Sequence, residues 1–305
     1  MNTIKITSPT SKVEGSCELK YKRCNKRPNS IGPSDEQYYF ERFVDFMQRH
    51  IDCHDHTPPV YYFGTISEQP PSENDSEIAK QNIEEYIINV IKSDWGAIKL
   101  YSILNKIEII TIFINIKKEL QACINTNQME QNKSPYQHGN KKVIPYISNS
   151  YGYKYCIAFG KILRKYLSTD GQQWIDKTLE YLQNYMEEGV CDGAWIPTKY
   201  NTSFAKQYLS VNPTDFYKDI ELDNKKFQIF AFATHPEAYL MGGLSTLVKK
   251  KHFTDLLLIL ITPNFIEWKS SETRKQALIT SESIFKELID ELRNKMMRII
   301  HSLID

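Results

Sequence analysis

The stretch KKVIPYISNSYGYKYCIAFGKILRKYL, Lys141 to Leu167, decides which fold the sequence predicts. β-Branched residues lead into the turn SNSYG, and apolar residues at helical spacing follow at once, which predicts a strand over Val143–Ile147, a sharp turn and a helix. A strand, G-x-S-x-G turn and helix exposes a nucleophilic serine in α/β enzymes, and here Ser148 and Gly152 occupy the two glycine positions. The pattern therefore indicates either a nucleophile turn at Ser150 or an ordinary strand-to-helix connection.

Two later apolar runs, FQIFAFAT (Phe227–Thr234) and DLLLILIT (Asp255–Thr262), have the length and composition of buried strands. The segment between them predicts a helix, because Thr234 and Glu237 fit a capping box and Pro236 lies in the first turn. A strand, helix and strand in this order imply a parallel pair with a right-handed crossover. The sequence therefore predicts an α/β fold with a mostly parallel sheet, flanking helices and a site at the carboxyl ends of the strands.

The remaining periodicity predicts further helices and short strands. The predicted helices cover 38–47, 83–91, 174–186 and a long C-terminal helix over 278–303; the predicted strands lie in PPVYYFGTIS (58–67) and IEIITIFI (107–114), the latter alternatively part of a helix. Residues 1–36 are rich in Ser, Pro, Lys and Asn and are predicted to be a flexible polar tail. Residues 37–305 are predicted to form a single α/β domain that ends in the long amphipathic helix, whose apolar face is a candidate surface for a protein partner.

Composition and charge exclude several classes of protein. The 38 basic and 37 acidic residues nearly cancel, which argues against nucleic-acid partners. No run of about 18 apolar residues predicts a transmembrane segment, and the N-terminus lacks the apolar core of a Sec signal peptide. Six cysteines in 305 residues do not predict a disulfide framework. We therefore expect a cytoplasmic protein, or one delivered to a host cell by a non-Sec route.

Three segments together resemble a known family. KKVIPYISNSYG, the later QQWIDKTLEYL and the earlier PPVYYFGTIS are similar to motifs of the lecithin:cholesterol acyltransferase-like group of α/β-hydrolases. The resemblance implies that Ser150 is the nucleophile and that backbone N–H groups of Tyr151 and of Gly64 or Thr65 stabilise the oxyanion. It also implies a hydrolase or acyltransferase of lipid metabolism, with an active or degenerate site, a lipid-like acyl ester as substrate and no cofactor.

The base and the acid of such a site would follow Ser150 in the chain. Of the three later histidines, His235 is favoured because it lies at a predicted strand-to-helix junction. The segment NPTDFYKDIELDN offers Asp215, Asp219 and Asp223 as the acid, and Asp215 is preferred. A non-catalytic binding protein on the same fold is the alternative, since a fold does not determine a function.

Cys191 offers a different chemistry. EEGVCDGAW places a thiol between two glycines, and His235 follows it. A Cys/His thiol effector of the protease, deamidase or transglutaminase kind is therefore a second enzymatic interpretation. DCHDH (Asp52–His56) crowds side chains that can bind metals, but no second ligand segment completes a zinc site, so no metal is predicted.

Overall fold

A computed structural model describes residues 21–32, 36–53, 56–67, 106–132, 136–138, 141–148, 150–198, 204–209 and 212–262. These residues are mainly helical and include one small sheet. The helices are α1 (Gln37–Arg49), α2 (Val60–Phe63), α3 (Lys106–Asn132), α4 (Tyr151–Cys156), α5 (Thr169–Glu187), α6 (Pro213–Tyr217), α7 (Asn224–Gly242), α8 (Leu244–Lys249) and α9 (Phe253–Ile261). Single turns of 3-10 or π helix cover Ile157–Ile162, Leu163–Tyr166, Glu188–Asp192, Ala205–Leu209 and Ile220–Leu222.

The sheet has three short strands in the order β1–β3–β2. They are β1 (Thr65–Ser67), β2 (Tyr136–His138) and β3 (Lys141–Tyr146). Both neighbours of β3 run antiparallel to it: Thr65 pairs with Tyr146 on one side and Tyr136 with Val143 on the other. The predicted strand before Ser150 is confirmed, but the prediction of a mostly parallel α/β sheet is wrong.

The predicted strand–helix–strand unit is helical throughout its described length. Phe227–Thr234 lies inside α7, and the second predicted strand corresponds to α9. α7 is buried on most of its faces, so its sequence lacks the one-sided apolar pattern that marks a surface helix. Short apolar runs of this kind cannot be assigned to strand or helix from periodicity alone. The same ambiguity explains why Ile107–Ile114 belongs to α3 and not to a strand.

Two other predicted helices are confirmed. The aromatic periodicity over 38–47 corresponds to α1, and 174–186 lies within α5. α5 begins at a capped turn, since the side chain of Ser168 accepts from the Gly171 N–H at 3.2 Å. The helices predicted over 83–91 and 278–303 lie outside the described residues.

The core is built around the antiparallel pair α5 and α7, the most extensive helix contact among the described residues. Trp174 Nε1 donates to the Tyr239 carbonyl at 3.0 Å near one end. Near the other end, a side chain at Gly189 would collide with the ring of Phe230 at 2.1 Å. Aromatic residues of α1, α2 and α4 complete this core and account for much of the tyrosine content of the chain.

Residues 21–32 are held against the helical core and therefore differ from the flexible tail that the sequence predicts. Cys24 is 3% exposed, and Arg23 donates to the Tyr217 carbonyl at 3.0 Å. The Gly32 N–H donates to Gln183 Oε1 at 2.8 Å. Among the helices that the structure describes, none combines the length and the apolar character needed to cross a bilayer.

Candidate functional site

Ser150 lies in the turn between β3 and α4. Its N–H donates to the Ile147 carbonyl at 2.8 Å, and its carbonyl accepts from the Lys154 N–H at 2.9 Å. The side chain does not cap α4, and its buried Oγ makes no hydrogen bond to any residue that the structure describes. A buried hydroxyl without a partner costs about 1–3 kcal/mol. Ser150 Oγ therefore gains from any ligand that hydrogen-bonds to it.

The two residues at the glycine positions of the turn have different roles. Ser148 is buried and donates to Gln128 Oε1 at 2.7 Å, so it ties the turn to α3. Gly152 meets the steric condition for the motif, because a Cβ there would lie 2.3 Å from the ring of Tyr39. The turn is thus closely packed at both Ser148 and Gly152, and these two contacts fix the position of Ser150 between them.

Gly64 and Thr65 lie next to this turn because β1 pairs with the end of β3. Gly64 has φ of +99°, and a Cβ at this position would lie 2.3 Å from the Tyr146 carbonyl oxygen. Only glycine combines that backbone conformation with so close an approach. The connection from α2 to β1 therefore lies beside the turn that holds Ser150.

A pocket of about 250 Å³ opens between α2, the β1–β3 edge and α4. We call it the Ser150 pocket; its described lining residues are Val60, Tyr61, Gly64, Thr65, Tyr146, Ser150, Tyr151 and Lys154. The structure thus brings together the predicted nucleophile and the three residues predicted to supply oxyanion N–H groups.

Lys154 is a residue of the pocket that the sequence reasoning missed. It follows Ser150 by four residues on the predicted helix, and this spacing places both side chains on one face. Its Nζ lies 5.0 Å from the ring centroid of Tyr155. Lys154 is the one charged side chain among the described lining residues, so the pocket favours a ligand with negative charge.

His235, the predicted base, lies inside α7 and is 3% exposed. Its Nδ1 donates to the Ala231 carbonyl at 2.7 Å, since a carbonyl can only accept. Burial lowers the pKa of His235 to about 4, so the ring is neutral at physiological pH. The ring lines a separate cavity of about 30 Å³, and Tyr151 is the described residue that lines both spaces. The structure therefore places His235 and Ser150 in different cavities.

The predicted acid is not assembled with His235 either. Asp215 lies in the first turn of α6 and is exposed, and it lines neither cavity. Asp223 caps α7, because its side chain accepts from the Lys226 N–H at 2.9 Å. Within the described part of the chain, the serine, histidine and aspartate do not form a triad.

Cys191 is joined to Cys24 in a disulfide with a Cα–Cα distance of 4.9 Å. Cys53 is also disulfide-bonded. The expectation that the six cysteines are not a disulfide framework is therefore corrected for Cys24, Cys53 and Cys191. The 167 positions between Cys24 and Cys191 hide their pairing from the sequence. The disulfide leaves Cys191 without the free thiol that a Cys/His mechanism requires.

His56, the last residue of the DCHDH segment, lies beside His50, which precedes the segment. His50 and His56 lie with their Nδ1 atoms 2.8 Å apart, while Cys53 is committed to a disulfide and the two residues between Cys53 and His56 lie outside the described residues. Among the described residues, one group of three could share an ion by distance: Cys24, Glu187 and Cys191. Its two cysteines are bonded to each other, so neither offers a thiolate to a metal.

Comparison with known proteins finds no match among family models, curated proteins or solved structures. The resemblance to the lecithin:cholesterol acyltransferase-like group therefore stays a prediction from short motifs. The α/β fold that it implies is not the fold of the described residues.

Proposed function

We propose that this protein binds a small organic molecule with a carboxylate or similar anionic group in the Ser150 pocket. One observation carries the proposal: a buried serine hydroxyl without a hydrogen-bond partner among the described residues lies beside a lysine in a pocket of about 250 Å³. The sequence allows a non-catalytic binding protein as an alternative, and we retain that function here for a mainly helical protein.

The lining of the pocket supports an anionic ligand. Lys154 supplies a cation and Ser150 a hydroxyl donor, while the Thr65 hydroxyl already donates to the Ile66 carbonyl at 3.5 Å. The aromatic residues of the lining provide apolar surface for the body of a ligand. A hydrogen bond to a charged group contributes about 1.5–3 kcal/mol, roughly twice a neutral one. Lys154 is therefore expected to dominate affinity, and Ser150 to add orientation.

The volume supports a small ligand. Ligand sites usually measure about 300–1,000 Å³, and the Ser150 pocket lies just below this range at about 250 Å³. An aromatic acid or a short acyl chain matches this space better than a long lipid chain does. The sequence resemblance implies lipid-like acyl esters as substrates, and we propose that only compounds with a compact acid or acyl group enter this pocket.

Replacing Lys154 with methionine is expected to weaken the binding of benzoate by about 10–100-fold, since it removes one charged hydrogen bond. Isothermal titration of the full chain with benzoate measures this loss, and benzamide provides the neutral isostere. Wild-type protein should bind benzoate at least about tenfold more tightly than benzamide, and the variant should lose this preference.

Lys177→Met is the matched control, because Lys177 is exposed on α5 away from the pocket. It should bind benzoate like the wild type. Equal affinities of Lys154→Met, Lys177→Met and wild type would contradict an anion site at Ser150.

Acyl transfer at Ser150 is the second candidate function, and the same unpartnered Oγ favours it. In this reaction Ser150 Oγ would attack the carbonyl carbon of an acyl ester, its proton would pass to solvent, and the alcohol of the ester would leave with a proton. Thr65 and Tyr151 line the same pocket, and their backbone N–H groups would serve the oxyanion. The Gly64 N–H already donates to the Val60 carbonyl at 3.1 Å, so it would not take part. This route keeps the predicted serine chemistry without His235.

A fluorophosphonate probe separates the two functions. If acyl transfer operates, wild-type protein is labelled, Ser150→Ala is not labelled, and Ser245→Ala, which removes an exposed serine of α8, is labelled like the wild type. Mass spectrometry of the labelled peptide identifies the residue. Folded wild-type protein that binds benzoate and takes up no probe would leave binding as the function and exclude the nucleophile.

We also propose that the protein matures in an oxidising compartment. The Cys24–Cys191 disulfide and the disulfide at Cys53 support this, since disulfides persist in secreted and luminal proteins and are rare in the cytosol. Delivery to a host cell through such a compartment would allow both disulfides to form, whereas a protein that stays in the cytoplasm would not be expected to form them.

A further inference from the structure

A buried polar cluster lies against the Cys24–Cys191 disulfide. Glu187, at the end of α5, is 0% exposed, and Arg42 of α1 is 2% exposed. Tyr38, one turn before Arg42, donates its hydroxyl to Glu187 Oε1 at 2.8 Å. We call these five residues the disulfide cluster. Burying Glu187 and Arg42 is unfavourable, because removing a charge from water costs several kcal/mol for each ion. A functional role for these two side chains would account for their burial.

The disulfide itself contacts both charges. Glu187 Oε2 lies 3.2 Å from Cys191 Sγ, and Arg42 Nη1 lies 3.7 Å from the same sulfur. Arg42 Nε lies 3.5 Å from Glu187 Oε1, so acid and cation also face each other. Cys191 is partly exposed, whereas Cys24 is 3% exposed. Cys191 is thus the more exposed of the two cysteines, and its sulfur is the one that the acid and the cation contact.

We propose that Cys24–Cys191 is a redox-active disulfide that exchanges with an external dithiol, with Glu187 as the proton donor and acceptor for Cys191 and Arg42 as the cation that stabilises its thiolate. Cys24 is the buried resolving cysteine. The proposal concerns a separate part of the molecule from the Ser150 pocket and does not depend on ligand binding there.

The exchange balances as follows. A thiolate of the dithiol attacks Cys191 Sγ, the Cys24–Cys191 bond breaks, and its electron pair goes to Cys24 Sγ, which takes a proton from solvent. The second thiolate of the reagent attacks its own linked sulfur, and the electron pair of that bond goes to Cys191 Sγ. Glu187 gives Cys191 its proton and is then reprotonated. Two electrons and two protons move from the dithiol to the two cysteines.

The chemistry of the oxidised cluster supports a proton on Glu187. A disulfide sulfur has no hydrogen to donate, so the contact from Glu187 Oε2 is favourable only if the carboxyl group donates. Burial raises the pKa of Glu187 to about 7, and Glu221 acts in the same direction, while Arg42, Arg27 and the Tyr38 hydroxyl oppose it. Glu187 can therefore both give and take a proton near neutral pH.

Exchange kinetics test the proposal on the full chain, with dithiothreitol as the probe. Samples are alkylated at timed intervals, and peptide masses report the Cys24–Cys191 bond apart from the other cysteines. The first attack is reversible, because the Cys24 thiolate can re-form the bond until Cys191 is released from the reagent and protonated. Glu187→Gln is therefore expected to slow net reduction of this bond by about tenfold or more at pH 7. Glu188→Gln, the same change one residue later, should react within about twofold of the wild type.

The pH profile of the wild type gives a second readout that does not depend on how well the variant folds. With Glu187 as the acid, the logarithm of the rate rises with unit slope below about pH 7 and flattens above it, because the fraction of protonated carboxyl falls as the reagent thiolate increases. Glu187→Gln should keep unit slope throughout. Unit slope in the wild type, or equal rates for Glu187→Gln and Glu188→Gln, would overturn the proposal and leave the disulfide purely structural.

Discussion

Replacing both Cys24 and Cys191 with serine is expected to lower the free energy of unfolding by about 4–5 kcal/mol. The disulfide joins residues separated by 167 positions, so it removes a very large amount of conformational freedom from the unfolded chain. It also anchors residues 21–32, whose polar contacts with α1 and α5 depend on staying docked. Urea denaturation followed by far-UV circular dichroism measures the loss.

Cys123→Ser is the control for this prediction, because Cys123 is a free cysteine. It should change the free energy of unfolding by less than about 1 kcal/mol, as an ordinary partly buried substitution does. A double variant within about 1 kcal/mol of the wild type would show that the two cysteines are not paired in the folded protein.

Arg42→Met is expected to cost about 3–5 kcal/mol at pH 8, where Glu187 is ionised and would be left buried without its cation. The loss should be larger at pH 8 than at pH 5. The folded-state pKa of Glu187 is already raised, and it rises further without Arg42; a group of this kind stabilises the fold below its unfolded pKa and loses that contribution as pH rises. Denaturation at the two pH values measures both effects.

Arg164→Met serves as the comparison, since Arg164 pairs with Asp176 at 2.9 Å on the surface, where the two side chains are 40% and 30% exposed. Surface pairs of this kind contribute about 0–1 kcal/mol. Similar losses for the two arginine variants would mean that Arg42 does not neutralise a buried carboxylate.

The parts of the fold that sequence reasoning predicts correctly are those with one-sided periodicity or clear turn chemistry. α1 shows its aromatic face in the sequence, and the polar turn after β3 marks where the strand gives way to a helix. α9 and the Phe227–Thr234 part of α7 are wrongly predicted as strands, because both runs are too uniformly apolar to reveal a helical period. The helix predicted after Thr234 is confirmed over the rest of α7. Burial on all sides removes the signal on which such predictions depend.

The candidate site divides in the same way. Ser150, Gly64, Thr65 and Tyr151 meet in one pocket because local geometry brings them together: a tight turn and a strand pair. A partner for Ser150 from a distant segment could not be predicted, because the position of His235 depends on the packing of α7 and not on any local pattern. The spacing of Ser150 and Lys154 is local, and it would have identified the lysine.

The disulfide between Cys24 and Cys191 also joins distant segments, since the two residues are 167 positions apart, and no local pattern in the sequence reveals it. Glu187 precedes Cys191 by four residues, so the two lie on one helical face. That relation becomes meaningful only once the disulfide is known. The pairing of Cys24 with Cys191 could not be predicted from the sequence, and the redox proposal depends on it.

Titration of the isotopically labelled full chain with benzoate, followed by amide NMR spectra, tests the central claim most directly. An anion in the Ser150 pocket predicts saturable shifts concentrated on the amides of Gly64, Thr65, Ser150, Tyr151 and Lys154. Saturable shifts centred elsewhere, or no saturable shift at these five amides, would contradict the account.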